Sequence, residues 1–183
     1  FATPAFASLK ASIALAGRNA QPILVREHLP DQFEIVFGHR RHRACLELGI
    51  PVLAVVAEQS LGDIEVFLSM EQENRERVDL SPFEQGRSYV SALESGLFPS
   101  QRRLAEAVGV SHTWVRKSML VAQLPEPVLQ AFRSPLEIQP KHAEVIAAEL
   151  ERDRASVLRR AEKLRLGEKR LTAAQAVQAL LPR

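Results

Sequence analysis

Apolar positions along the first third of the chain change their period more than once. From Ala5 to Ala16, the residues Phe6, Leu9, Ile13 and Ala16 recur every three or four positions, which predicts a short amphipathic helix. AQPILVRE then gives a brief apolar run opened by Pro22, and Pro30-Asp31 marks a turn. Phe33 to Phe37 is apolar at 33, 35, 36 and 37 and predicts a strand, which Gly38 breaks. Arg40 to Leu48 follows as a helix ended by Gly49, and Pro51 opens a third apolar run, VLAVVA, rich in valine. Strand, corner, helix and strand in that order form a compact βαβ-like pattern. Residues 62–76 read as a further helix, with Ile64, Phe67, Leu68 and Met70 on its apolar face.

After Asp79-Leu80-Ser81-Pro82 the strand signals vanish. Ser81 caps a helix with Pro82 at its first position and Glu84 three residues on, an N-terminal signature. Further helices are predicted over 101–108, 112–122, 126–132, 141–150, 153–166 and 172–181, with breaks at Gly96/Pro99, Gly109, Pro125, Pro135/Pro140 and Gly167. The boundary falls near Arg77–Asp79. The expected fold class is α+β: a small mixed α/β domain over 1–78, followed by an all-α helix-turn-helix domain over 79–183.

Composition narrows this picture. The 183 residues are 46% hydrophobic, enough for folded cores. No apolar run approaches the roughly 20 residues that span a bilayer, and no secretory signal pattern opens the chain, so no membrane partner is expected. One cysteine, Cys45, fits a reducing cytoplasm, and Phe1 in place of an initiating Met suggests a piece of a longer protein. The net charge of +2 is unevenly spread. Residues 1–100 carry 9 Lys/Arg against 13 Asp/Glu, whereas 101–183 carry 15 against 9, so the second part is suited to a polyanion.

The clearest local motif is QRRLAEAVGVSHTWVRKSML, residues 101–120. Leu104, Ala105 and Val108 share one face, Gly109 permits a left-handed turn, Val110 packs beneath it, and Ser111 caps a second helix with Val115 and Met119 inward. That is the layout of a helix-turn-helix. The candidate DNA contacts are Gln101, Arg102, Ser111, His112, Thr113, Trp114, Arg116 and Lys117, because Arg and Lys bind phosphates or guanine edges and Thr and His read bases. The alternative is an ordinary helical hairpin with a solvated basic face, and Trp114 suits the hydrophobic seam as well as DNA. Over 151–170, mixed charges at helical spacing indicate a solvated face, to which Arg159, Arg160 or Lys163 could add a phosphate contact.

The other concentration of charge is GHRRHR, residues 38–43, at a strand-to-helix corner. Free N–H groups at a helix start attract anions, and arginine forks match phosphate oxygens. Against this stands a structural reading in which Arg43 pairs with Glu47 and the other arginines are solvated. Zinc is rejected: His39, His42 and Cys45 step about 60° apart on a helix and lie among arginines. A P-loop, a G-x-S-x-G elbow and a Cys–His nucleophile pair are all missing from the sequence, and Cys45 reads as a core residue.

Taken in order, AQPILVR at 20–26, GHRRHRA at 38–44, ENRERVDLSPFE at 73–84 and the helix-turn-helix ending in LVAQLPEPV resemble a ParB-type plasmid or chromosome partition protein over about residues 6–150. The resemblance implies an α/β domain that binds CTP with Mg2+, a helix-turn-helix that binds a centromere-like site in double-stranded DNA, a homodimer closing as a clamp, and a ParA-type ATPase partner. It implies nucleotide contacts at Gln21, Gly38, His39, Arg40, Arg41, Arg43, Glu73 and Asn74, with Asn74 linked to the nucleotide-bound magnesium. Two positions depart from the family, His39 and Val78 standing where acidic residues are common. They bear on turnover and magnesium handling, so the implied activity is at most that of a slow CTPase, and no catalytic residue is assigned. The alternatives are a plasmid transcriptional repressor of the same family without nucleotide switching, and a sulfiredoxin-like reductase. The latter places its cysteine before a His-Arg pair, where this chain has Gly38. A bacterial cytoplasm, with nucleoid or plasmid association, is the expected location.

Overall fold

The computed structural model describes residues 4–57, 61–76, 80–167 and 171–182. The chain divides into two compact units, 1–76 and 77–183. The boundary residues 77–79, Val78 among them, lie outside the described residues.

In the first unit, helix α1 (Pro4–Ala16) leads to strands β1 (Ile23–Leu29) and β2 (Gln32–Phe37), helix α2 (His39–Leu48), strand β3 (Ala54–Val56) and helix α3 (Asp63–Glu76). A tight turn joins β1 to β2: Leu29 pairs with Gln32, and Asp31 takes a left-handed φ of 61°. The sheet order is β2-β1-β3, with β2 antiparallel and β3 parallel to β1. This corrects the compact βαβ expectation. The hairpin occupies one edge of β1, so α2 carries the chain over to the other edge, and β2 and β3 are not neighbours.

Ile23, Val25 and Val36 supply the buried face of the sheet. Phe6 and Ile13 of α1 bury against Ala44 and Cys45 of α2, with Leu9 and Leu48 alongside, while Ala16 is exposed. Cys45 is therefore a core residue. On α3 Val66 and Glu71 are buried, whereas Ile64, expected on the apolar face, is 42% exposed.

The second unit is helical: α4 (Pro82–Glu94), α5 (Gln101–Val108), α6 (His112–Ala122), α7 (Glu126–Gln130), a short 3-10 turn at Pro135–Glu137, α8 (Pro140–Leu166) and α9 (Ala173–Leu180). The Ser81–Glu84 capping box forms as the sequence predicts. The two helices expected over 141–150 and 153–166 run on as α8, interrupted at Asp153 (φ −150°, ψ 75°), whose carboxylate accepts from the Ser156 N–H at 3.0 Å and so starts the second segment. One core joins α6 to α9, with Val121, Phe132, Ile138, Ile146, Val157 and Leu180 at its centre.

Helix α4 lies directly on α6. A Cβ added at Gly86 would meet the Ser118 carbonyl oxygen at 2.0 Å, so the two backbones touch at that point.

Candidate nucleotide turn and nucleic-acid interface

Helix α5 buries Leu104, Ala105 and Val108, and the chain reverses at Gly109 with φ 74°. The N–H groups of Gly109 and Val110 both donate to the Ala105 carbonyl, which closes the turn. The Ser111 hydroxyl then accepts from the Trp114 N–H at 3.1 Å and caps α6. With Val115 and Met119 turned into the core, the helix leaves Ser111, His112, Thr113 and Arg116 exposed at its start. These are the residues that sequence reasoning offered for base and phosphate contact.

The remaining candidates are more engaged. Trp114 is half-buried and donates its indole N–H to the Gln85 side-chain carbonyl at 2.8 Å, which ties α6 to α4. Lys117 reaches Glu144 of α8 at 3.0 Å. Arg102 is exposed and pairs with Glu106 at 3.1 Å, an exposed contact of small energetic weight, and Gln101 is half-buried beside it. Arg160 donates to the Leu180 carbonyl and holds the end of α9, while Arg159 donates to Ser156.

Two features of this face had no signal in local sequence. The start of α8 lies next to the start of α6, forming a cleft of about 490 Å³ lined by Thr113, Trp114, Lys117, Lys141 and Glu144, among others. Lys141 therefore joins the basic surface from a helix outside the recognised motif. His142 caps α8 by accepting the Gln139 N–H on Nδ1 at 3.2 Å, and burial, with Lys141 beside it, lowers its pKa.

The corner in the first unit is built by Gly38, at φ 94° and ψ 19°. A Cβ there would lie 2.6 Å from Ile23 Cγ2, so the position requires glycine both for its backbone and for space. No side chain caps α2 and no acidic residue stands in its first turn, so its leading N–H groups are available to an anion. Arg41 reaches back across the corner, donating to the Gln21 side-chain carbonyl at 2.8 Å and to the Pro22 carbonyl at 3.1 Å. Gln21 and Arg41 also line a cleft of about 270 Å³ at the end of α1.

Asn19, which also lines this cleft, is fully buried, a residue that sequence reasoning missed. Its amide donates to the Gln21 and Leu53 carbonyls, both at 2.9 Å, and accepts the Leu53 N–H at 2.7 Å. It fixes the segment that carries Gln21, but its partners are set by tertiary structure and leave no motif.

Of the other nucleotide candidates, His39 is exposed and Arg40 half-buried on the first turn of α2. Arg43 pairs with Glu47 at 2.8 Å, as the structural reading expected, and Lys10 joins the same carboxylate at 2.9 Å. Hydrogen bonds from Lys10 and Arg43 lower the Glu47 pKa. Glu73 and Asn74 are half-buried on the last turns of α3 and do not line the Gln21–Arg41 cleft. Among the described residues no group of three or more His, Cys, Asp or Glu could hold a metal.

Comparison with known proteins places these two halves. Residues 1–72 match the ParB N-terminal domain family, and residues 80–155 match the centromere-binding protein HTH domain family. A probable chromosome 1-partitioning protein ParB of Deinococcus radiodurans is 40% identical over 134 residues, covering 73% of this chain and 45% of that protein. The chain thus spans less than half of that relative's length. Among solved structures, the C-terminally truncated ParB of Caulobacter crescentus complexed to the centromeric parS site is 29% identical with a TM-score of 0.48, covering 90% of this chain and 88% of that one. The same protein complexed with CTP-gamma-S is 31% identical with a TM-score of 0.35, covering 90% and 87%.

Proposed function

The chain belongs to the ParB family of partition proteins, and from that premise we propose that it binds a centromere-like DNA site through α5 and α6, under the control of CTP bound at the Gly38–Arg41 turn. The observation that carries this reading is a capped recognition helix whose first turns expose His112, Thr113 and Arg116 while its opposite side is fixed to α4. Thr and His offer base contacts, Arg116 offers a phosphate or guanine contact, and the Ser111 cap fixes the register from which they project. Paired half-sites accompany this motif, so the bound form is a homodimer. The compartment that follows is the bacterial cytoplasm, at the nucleoid or a plasmid; no described helix is long and apolar enough to cross a membrane.

For the nucleotide, the uncapped start of α2 and the guanidinium of Arg41 give a triphosphate fixed donors and positive charge at one corner. Gln21 comes into play as its bond to Arg41 is exchanged for one to the ligand. Magnesium suits this arrangement only as a nucleotide-borne ion. The protein offers Asn74, with Glu73 beside it, and the phosphates and water would supply the other oxygens.

The test is calorimetric titration of the chain with CTP, ATP, GTP and UTP in magnesium buffer, repeated with Arg41→Ala. Binding of CTP alone, abolished by Arg41→Ala in a chain that keeps its circular dichroism, is the expected result. If no nucleotide binds while DNA does, the CTP half of the reading falls and a repressor without nucleotide switching takes its place.

A further inference from the structure

A carboxylate stands inside the surface assigned to DNA. Glu144, in the first turns of α8, holds the Lys117 ammonium of α6 at 3.0 Å, and both line the cleft shared with Thr113, Trp114 and Lys141. Other described ion pairs of the second unit link residues three or four apart on one helix or turn, whereas this one joins two helices across the cleft. Stability does not explain it. The two side chains are 34% and 38% exposed, and the start of α8 is capped without Glu144, by Gln139 and His142. An exposed pair of this kind contributes little to folding.

Its effect on DNA is larger. Non-specific affinity comes from phosphate neutralisation with release of counterions, and a lysine already neutralised by a carboxylate contributes less to it. A group that lowers affinity for random DNA more than for a site whose base contacts hold α6 in place widens the difference on which specificity rests.

We propose that Glu144 is a specificity-determining residue that acts through Lys117. It withholds the Lys117 charge from random DNA, and that charge is given up to the duplex only where the base contacts of His112, Thr113 and Arg116 hold α6 in place. The inference rests on the DNA-binding reading above and adds to it a residue outside the helix-turn-helix.

The experiment is fluorescence anisotropy with two labelled duplexes, one of random sequence and one that the wild-type chain enriches from a random pool. Each is titrated across a salt series with wild type, Glu144→Gln, Lys117→Gln and the double variant. Glu144→Gln should bind the random duplex several-fold more tightly, with a log K against log salt slope steeper by about 0.9, one added phosphate contact. Its ratio of enriched to random affinity should fall, and both effects should vanish in the Lys117→Gln background. Three results would overturn the proposal: no change on random DNA, an equal gain without Lys117, or a loss confined to the enriched duplex, which would make Glu144 a direct reader of a cytosine amino group. A wild-type chain with no salt-dependent DNA binding would instead remove the DNA reading, and this inference with it.

Discussion

Gly86 shows how much a single missing side chain can decide. Alanine is favoured over glycine inside a helix by about 1 kcal/mol, so Gly86→Ala would stabilise α4 in isolation. Here the added Cβ would meet the Ser118 carbonyl at 2.0 Å and the Ala122 Cβ at 2.9 Å, and a backbone carbonyl cannot turn aside as a flexible side chain can. Overpacking of this kind costs typically 1–3 kcal/mol, which outweighs the propensity gain. Gly86→Ala should therefore lower the unfolding free energy of the second unit measured in urea, by a net of up to about 2 kcal/mol, and should weaken DNA binding by shifting α6; a stability gain would show that the helices separate freely. Nothing in the local sequence distinguishes this glycine. Gly109 and Ser111, by contrast, were readable, because turn and cap chemistry act within a few residues. The same distinction separates Trp114, whose ambiguity was visible, from Gln85, its hydrogen-bond partner 29 residues away.

At the scale of elements, helices were read more securely than strand order. A helix is specified by its own period and caps, and α5 and α6 match their predicted spans. The partner of β3 is chosen by the β1–β2 hairpin, which takes one edge of β1 and leaves the other. The placement of α8 was hidden for a similar reason: its period is local, but the approach of its first turn to α6 is not. That first turn carries a pH dependence. Burial, then Lys141, lowers the pKa of His142, so between the folded value and the unfolded value of about 6.5 the unfolded chain binds more protons. Stability from this group is thus complete above about pH 6.5 and is lost as pH falls through the lowered folded value. Protonation would also end its acceptance of the Gln139 N–H and place a positive charge at a helix start. The urea midpoint should be lower at pH 5.5 than at pH 7.5, and His142→Gln, which keeps an acceptor at the capping position, should flatten that difference. An unchanged difference in the variant would assign the dependence to other groups.

The whole molecule is divided by charge as well as by contacts. Residues 1–76 hold 7 Lys/Arg against 10 Asp/Glu, while residues 77–183 hold 17 against 12. An acidic unit is an unfavourable place for a triphosphate unless positive groups are concentrated locally, which gives the Gly38–Arg41 corner its significance. The family was recognisable from sequence because its motifs are contiguous stretches. The Lys117–Glu144 pair was not, because its members lie 27 residues apart on helices whose approach is set by the core between them. Two units with separate cores, each binding the ligand proposed for it above, should respond separately to those ligands. Each ligand at a hundred times its Kd stabilises the unit that binds it by about 2.7 kcal/mol, or roughly 10–20 °C in a unit of this size. In differential scanning calorimetry CTP should raise one transition and the enriched duplex the other. If both ligands raise a single shared transition equally, the units unfold as one, and control of DNA binding by nucleotide would then act through a common fold rather than between two independently stable parts.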